Sequence, residues 1–358
     1  MNFTAPDISV IVPILNEAFE LPELLASLSR QNDVTFELIL CDGGSSDGSQ
    51  KIASALAAEC AFPVKLIGTE RGRGKQMNAG AAAAASDLLL FLHADSRFEE
   101  NDALLKAVNY CRASTSGSES FAGRFGLQFR RSRPARSLAY FFYEAKARLP
   151  RRDCIRGDQG FLLTRHTFML ACGFDESLPF LEDIRLVAAT PPQIIWQLLP
   201  ATISTSARRF ENEGLLERQI LNAIIANNLL AGWKVFFDSL PGLYSNHSHT
   251  PGGKLLLYPI LEGISRLLEQ DSAEWRRFFW QSTGRHVAAN AWQLFYWLDV
   301  RHAFLSGNNP EDVQSCWLDF YHRRLERFFQ SRLAALTAQL AVRVWLRWML
   351  FRGTRQTA

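Results

Sequence analysis

Three apolar, strand-like runs in the first hundred residues end on side chains able to do polar chemistry. The first ends in Pro13-Ile14-Leu15-Asn16-Glu17, the second in Cys41-Asp42-Gly43-Gly44-Ser45-Ser46-Asp47-Gly48-Ser49, and a later one in His93-Ala94-Asp95-Ser96. In an open α/β sheet ligands sit beyond the carboxyl ends of the strands, so acidic endings of this kind converge on one edge. His93 reads as a ligand, a hydrogen-bond partner or an ordinary strand-end histidine.

Between these endings runs Glu70-Arg71-Gly72-Arg73-Gly74-Lys75-Gln76-Met77-Asn78-Ala79-Gly80, a basic entry into an alanine-rich helix. Backbone N–H groups and the positive dipole end of a helix start, helped by Arg71 or Lys75, stabilise anions, so the segment is expected to face phosphate. It is not a P-loop, because the glycine spacing is wrong and Lys75 precedes glutamine. Further on, Gly157-Asp158-Gln159-Gly160 precedes a strand-like FLL, and Glu182-Asp183 opens a helix. Arg208 and Arg209 offer two guanidinium groups suited to bidentate phosphate binding. Each segment also has a plain structural alternative: a glycine-rich turn, a solvated basic helix start, a helix cap.

Taken together, these segments resemble the nucleotide-sugar glycosyltransferases of family 2, which have the GT-A fold. The resemblance runs from residue 8 to about 215. It implies that Asp42 accepts a hydrogen bond from a uracil ring, an acceptor-only carboxylate facing an imide N–H. Pro13, Glu17, Gly43, Ser45, Arg71, Lys75, Asn78, Gln159, Arg208 and Arg209 would surround the rest of the donor. The family's D-x-D metal signature falls on His93 and Asp95, so its first aspartate is replaced, and the resemblance implies Asp95 as the direct ligand of a divalent cation, magnesium or manganese. The E-D motif falls on Glu182 and Asp183, with Asp183 as the general base that takes the acceptor hydroxyl proton. The resemblance implies an inverting transfer. The Q-x-x-R-W motif of processive members is missing, which favours transfer of single sugars.

The elements that must position these residues read as β-α-β-α-β-α-β. Strands are expected over Ile8 to Pro13, Phe36 to Cys41, Val64 to Ile67 and Leu88 to Leu92, with helices near 18–30, 48–59, 75–85 and 100–112. Ser46 and Asp47 are expected to cap the second helix. After a polar loop at 114–120 come a strand from Phe121 to Phe129, helices around Leu138 to Arg148 and from Asp183, a short strand near Ala201, and a helix from Leu216 to Phe237. The period beyond about residue 250 is wholly helical. The expected division is therefore a GT-A-like α/β domain over 1–240, mostly parallel in its sheet, and an all-helical domain over 241–358.

Composition narrows the classes. A net charge of +3 without long basic runs argues against nucleic acid as a partner. Six scattered cysteines with no C-x-x-C pair fit a reducing, cytoplasmic setting and no zinc site. His247 and His249 have too few partners for a metal. No apolar run is long enough to span a bilayer. In the last helix Arg332, Gln339, Arg343 and Arg347 form one stripe beside a broad apolar remainder, which is compatible either with packing in a core or with peripheral contact at the cytoplasmic membrane face. The acceptor is expected to be a hydroxyl compound, a lipid-linked one included. Two rival functions stand beside transfer: a nucleotidyltransferase on a similar sheet, and a noncatalytic scaffold that keeps the fold.

Overall fold

The computed structural model describes residues 5–115, 119–245 and 253–357. The chain divides into two compact units. The first comprises Met1–Arg130 with Tyr143–Ser206, and the second Arg131–Phe142 with Ala207–Ala358.

The first unit is built on an eight-stranded mixed sheet. Its strands are β1 (Ile8–Ile14), β2 (Phe36–Asp42), β3 (Val64–Gly68), β4 (Leu88–Phe91), β5 (Arg97–Phe98), β6 (Ala122–Arg130), β7 (Phe161–Thr164) and β8 (Trp196–Ser206), in the order β3-β2-β1-β4-β7-β6-β8-β5. β3, β2, β1 and β4 are parallel, as expected of crossover connections. β7 runs antiparallel between β4 and β6, while β8 is parallel to β6 and antiparallel to β5. The chain order reverses between β1 and β4, the switch point at which α/β sheets open a crevice.

The helices of this unit are α1 (Leu21–Ser29), α2 (Ser49–Ala57), α3 (Arg73–Ala83), α4 (Ala103–Ser114), α5 (Leu138–Ala147, which begins in the second unit), α6 (Arg165–Leu170) and α7 (Glu182–Ala189). β1 and β2 are buried along their whole length because helices cover both faces. Val10, Val12, Leu38 and Leu40 join Leu24, Leu28, Leu104 and Val108 on one side, and Ile11, Ile39 and Phe91 join Met77 and Ala81 on the other. Full burial of each such side chain contributes about 1.5–3 kcal/mol.

Glycine decides how closely α3 approaches the sheet. A Cβ on Gly80 would overlap Ile11 Cγ2 and sit 2.8 Å from Cys41 Sγ. Gln76, one turn earlier, donates through Nε2 to the carbonyls of Ile14 (2.8 Å) and Cys41 (2.7 Å), latching α3 to the ends of β1 and β2.

The second unit is helical: α8 (Arg208–Glu213), α9 (Leu215–Ala231), α10 (Lys234–Ser245), α11 (Leu257–Gln270), α12 (Ala273–Ala289), α13 (Trp292–Leu305), α14 (Cys316–Phe320), α15 (Glu326–Phe329) and α16 (Arg332–Thr357). Among the described residues no helix is long and apolar enough to cross a membrane.

The expected strands and helices of the parallel half are present within a few residues. Some local expectations differ. Gly48, at φ 92°, is the N-cap residue of α2 in place of Ser46 or Asp47, while Asp47 satisfies the N–H of the first helical residue, Ser49 (3.0 Å), as expected of its side chain. The short strand near Ala201 is the eleven-residue β8. The long helix from Leu216 breaks at Gly232, whose φ of 69° ends α9. Part of the 114–120 loop, and His247 and His249, lie outside the described residues.

Candidate functional site

The loops after β1 and β2 are stitched to each other. The Asn16 N–H donates to Ser45 Oγ (2.9 Å), Asn16 Oδ1 accepts from the Ser46 N–H (2.8 Å), and the Glu17 N–H donates to Ser49 Oγ (2.8 Å). Asn16 adopts φ 58°, a left-handed conformation that asparagine tolerates better than most residues. Pro13 stands in β1 opposite Cys41. Gly43 leaves room for Gln76, since a Cβ there would lie 3.0 Å from its amide carbon.

Asp42 is turned into its own loop. It is 2% exposed and accepts from the N–H groups of Gly44 (3.1 Å) and Ser45 (3.2 Å) and from Gln50 Nε2 (2.5 Å). Burial pushes its pKa up, but the bonds from Ser45, Gln50 and Gly44 outweigh that and hold the carboxyl below its ordinary value. An ionised carboxylate has about four acceptor positions, so capacity for a further donor remains.

The turn after β4 is braced from several sides. Asp95 Oδ2 accepts from Thr205 Oγ1 (3.0 Å) and the Ser206 N–H (3.1 Å), and Arg130 Nη2 donates to the Asp95 carbonyl (2.5 Å). Arg97 is buried, pairs with Glu20 (2.7 Å), and donates to the carbonyls of Ala94 (2.8 Å) and Ser96 (2.7 Å). The sequence singled out none of Thr205, Arg130 and Arg97, because their partners lie scores of residues away.

The Gly157–Gly160 turn and the start of α7 meet this edge. The Gly157 N–H donates to Asp183 Oδ2 (2.8 Å), and the Ile184 N–H to Asp183 Oδ1 (2.8 Å). A Cβ on Gly157 would stand 3.1 Å from His93 Nε2 and 3.3 Å from Asp183 Cβ, so His93 and Asp183 close on the same glycine. His93, Gly157, Glu182 and Asp183 line a small pocket together with Met77, Phe91, Phe161 and Phe174. Leu181 precedes α7 at φ 68°, a conformation costly for a leucine and the kind of strain that gathers at functional sites.

Glu182 is 1% exposed and pairs with Arg73 Nη1 (3.1 Å). Burial raises its pKa, Arg73 opposes the rise, and Asp183 adds to it. Asp158 has the larger perturbation. Burial, followed by the charge of Asp183, pushes it up to about 7 against the pull of Arg156, and Asp95 adds a further push. Its Oδ1 is buried without a hydrogen-bond partner. The sequence marked the GDQG turn, but only the fold reveals that Asp158 lies in the field of both Asp95 and Asp183.

Several expected donor residues have partners within the protein. Gln159 is 1% exposed and donates to the Ala147 carbonyl (2.7 Å) while accepting from the Arg156 N–H (3.0 Å). Asn78 clasps Phe174 through its N–H (2.9 Å) and carbonyl (2.9 Å). Lys75 pairs with Glu70 (2.5 Å), and Arg71 is exposed. Arg208 and Arg209 belong to the second unit, where Arg209 stands 3.9 Å from Glu213. Among the described residues no three His, Cys, Asp or Glu side chains are grouped to hold a metal ion. Asp158 and Asp95 nevertheless suit a hard cation: a buried, unpartnered carboxylate oxygen among like charges is a site that positive charge relieves.

Carboxylates thus gather at the edge of an α/β sheet beside its switch point, where such sheets bind ligands. Residues 9–169, all but Arg131–Phe142 within the first unit, match the model of glycosyl transferase family 2. A PGL/p-HBAD biosynthesis glycosyltransferase from Mycobacterium tuberculosis is 39% identical over 109 residues, covering 30% of this chain and 42% of the relative. A 4,4'-diaponeurosporenoate glycosyltransferase from Staphylococcus haemolyticus is 34% identical over 118 residues, 32% of this chain and 31% of the relative. The chain thus spans less than half the length of these curated relatives. Among solved structures, the mannosyltransferase PcManGT from Pyrobaculum calidifontis in complex with GDP-Man and Mn2+ has 16% identity and a TM-score of 0.48, over 96% of this chain and 88% of that one. Staphylococcus aureus TarS in complex with UDP has 18% identity and a TM-score of 0.48, over 88% and 91%.

Proposed function

We propose that the protein transfers single sugars, with inversion, from a nucleotide-sugar donor, a UDP-sugar in the first instance, to a hydroxyl acceptor. The observation that carries this is that Asp158 lies in the electrostatic field of both Asp183 and Asp95, with Asp183 and His93 lining one small pocket, in the unit that holds most of the family 2 match.

Asp183 accepts the acceptor's hydroxyl proton as the oxygen attacks the anomeric carbon. The bond from that carbon to the diphosphate breaks, and the diphosphate leaves with the bonding pair. The bonds from Gly157 and Ile184 fix the Asp183 carboxylate plane and leave a lone pair on each oxygen. Asp95 and Asp158 would hold a divalent cation, which supplies charge stabilisation to the departing diphosphate. Arg73 keeps Glu182 folded against the start of α3 and away from the role of a free base.

The test is release of nucleoside diphosphate when the chain is given UDP- or GDP-sugars, manganese and hydroxyl acceptors, lipid-linked ones among them. Acceptor-dependent release is expected. Absence of both hydrolysis and transfer, together with no measurable nucleotide binding, would leave the scaffold alternative standing.

A further inference from the structure

α16 carries its apolar side chains on the outside. Leu333, Leu336, Leu340, Val344 and Trp348 recur at three- and four-residue spacing and are 65%, 59%, 63%, 57% and 49% exposed. From Leu333 to Trp348 the stripe is about 22 Å long. The inward face is narrow by contrast. Ala334 and Leu346 are buried, and α16 lies so close to α12 that a Cβ on Gly284 would overlap the Ala335 carbonyl and sit 2.8 Å from Gln339 Cβ. The apolar remainder foreseen beside the arginine stripe is therefore, in large part, presented to solvent.

Arginines border that stripe. Arg332, Arg343, Arg347 and Arg352 are exposed, with Arg343 over the Trp280 ring at 5.1 Å and Arg352 over Trp348 at 4.7 Å. From Tyr321 onward the sequence holds eight arginines and one acidic residue, Glu326. Isolated exposed leucines need no explanation, but a continuous apolar stripe on one helix does.

We propose that α16 is a membrane-surface helix that lies along an anionic lipid bilayer, its leucine stripe in the interface and its arginines on the headgroup phosphates. Two chemical features select this occupant. A tryptophan and guanidinium groups beside an apolar centre match the headgroup boundary, and the arginines interrupt the helix too often for it to span. The same charge disfavours a second copy of the chain, because two-fold pairing of this face would bring arginine rows toward each other. This surface stands independently of the transfer activity.

The experiment is flotation of the full chain with vesicles of phosphatidylcholine alone and of phosphatidylcholine with phosphatidylglycerol, across a salt series, with light scattering of the free protein. Binding to the phosphatidylglycerol vesicles that weakens with salt is expected. Arg347→Gln should weaken it about fivefold, as loss of one headgroup-facing charge implies. Leu340→Asp, at an exposed position where folding is unaffected, should weaken it more than tenfold while circular dichroism stays unchanged. Failure of the wild type to float, equal binding to neutral vesicles, or unchanged binding of Leu340→Asp overturns the proposal. So does a dimer in light scattering that Leu340→Asp dissociates.

Discussion

At the residue scale, Asp183 and Asp158, which feel each other's charge, are set apart by environment. Asp183 has backbone donors on both oxygens, whereas Asp158 has a buried oxygen with none. If Asp183 takes the acceptor proton, Asp183→Asn keeps donor binding and lowers turnover about 10²–10⁴-fold. Near-wild-type turnover in single-turnover assays would remove it from the mechanism. Asp158 makes a stability prediction with a definite sign. Its folded pKa of about 7 lies above the ordinary value of 3.8, so the folded state binds its proton more tightly than the unfolded state. The stability contribution is whole below pH 3.8 and is lost as pH rises from there through about 7. Asp158→Asn should therefore gain about 1–3 kcal/mol over wild type at pH 8 and little near pH 4. Urea denaturation in the presence of a chelator checks this, and a gain of equal size at both pH values would contradict the charge explanation.

At the element scale, the parallel half of the sheet was legible because its strands are unbroken apolar runs ended by turn residues, and the motif residues follow them directly. What the sequence hid depends on distant partners. Arg97 with Glu20, Arg130 with the Asp95 carbonyl, and Asp158 between two other carboxylates have no local signature. Nor did it show that Gln76, Asn78 and Gln159 spend their amides on the backbone, since an amide beside a glycine-rich turn suits a ligand as readily as a latch. The short β5 and α6 were missed, being too brief to express a period. Gly80 shows what one atom decides: Gly80→Ala gains helix propensity worth about 1 kcal/mol but drives a methyl into Ile11 and Cys41. Overpacking of this kind costs about 1–3 kcal/mol, so net destabilisation is expected. A denaturant midpoint at or above that of wild type would mean that α3 lifts from the sheet without penalty.

At the scale of the whole molecule, the segments proposed to bind the donor, after β1, β2 and β4, at the start of α3 and at the start of α7, all belong to the first unit, while Arg208 and Arg209 belong to the second. Ligand protection measured along the chain distinguishes these groups. With UDP and manganese, amide exchange should slow at residues 14–18, 42–49, 70–76, 93–97, 156–160 and 182–185 and stay unchanged in α11 to α16. The overall gain in native stability should reach about 2.7 kcal/mol at a ligand concentration a hundredfold above Kd. Asp95→Ala should remove the part of that gain that depends on manganese, because position 93 holds a histidine where a second carboxylate would otherwise keep the ion. Asp42→Ala should lower the gain while preserving its metal dependence, since the loss is one charge-assisted hydrogen bond of about 1.5–3 kcal/mol to the base. Asp42 is also the acceptor for its own loop, so part of its effect will appear in the unliganded protein as faster exchange at residues 43–50. The increment added by ligand is the quantity that bears on the base contact. Protection spreading to residues 207–213 would return Arg208 and Arg209 to the donor site. A full metal effect in Asp95→Ala would instead assign the cation to His93 or Asp158.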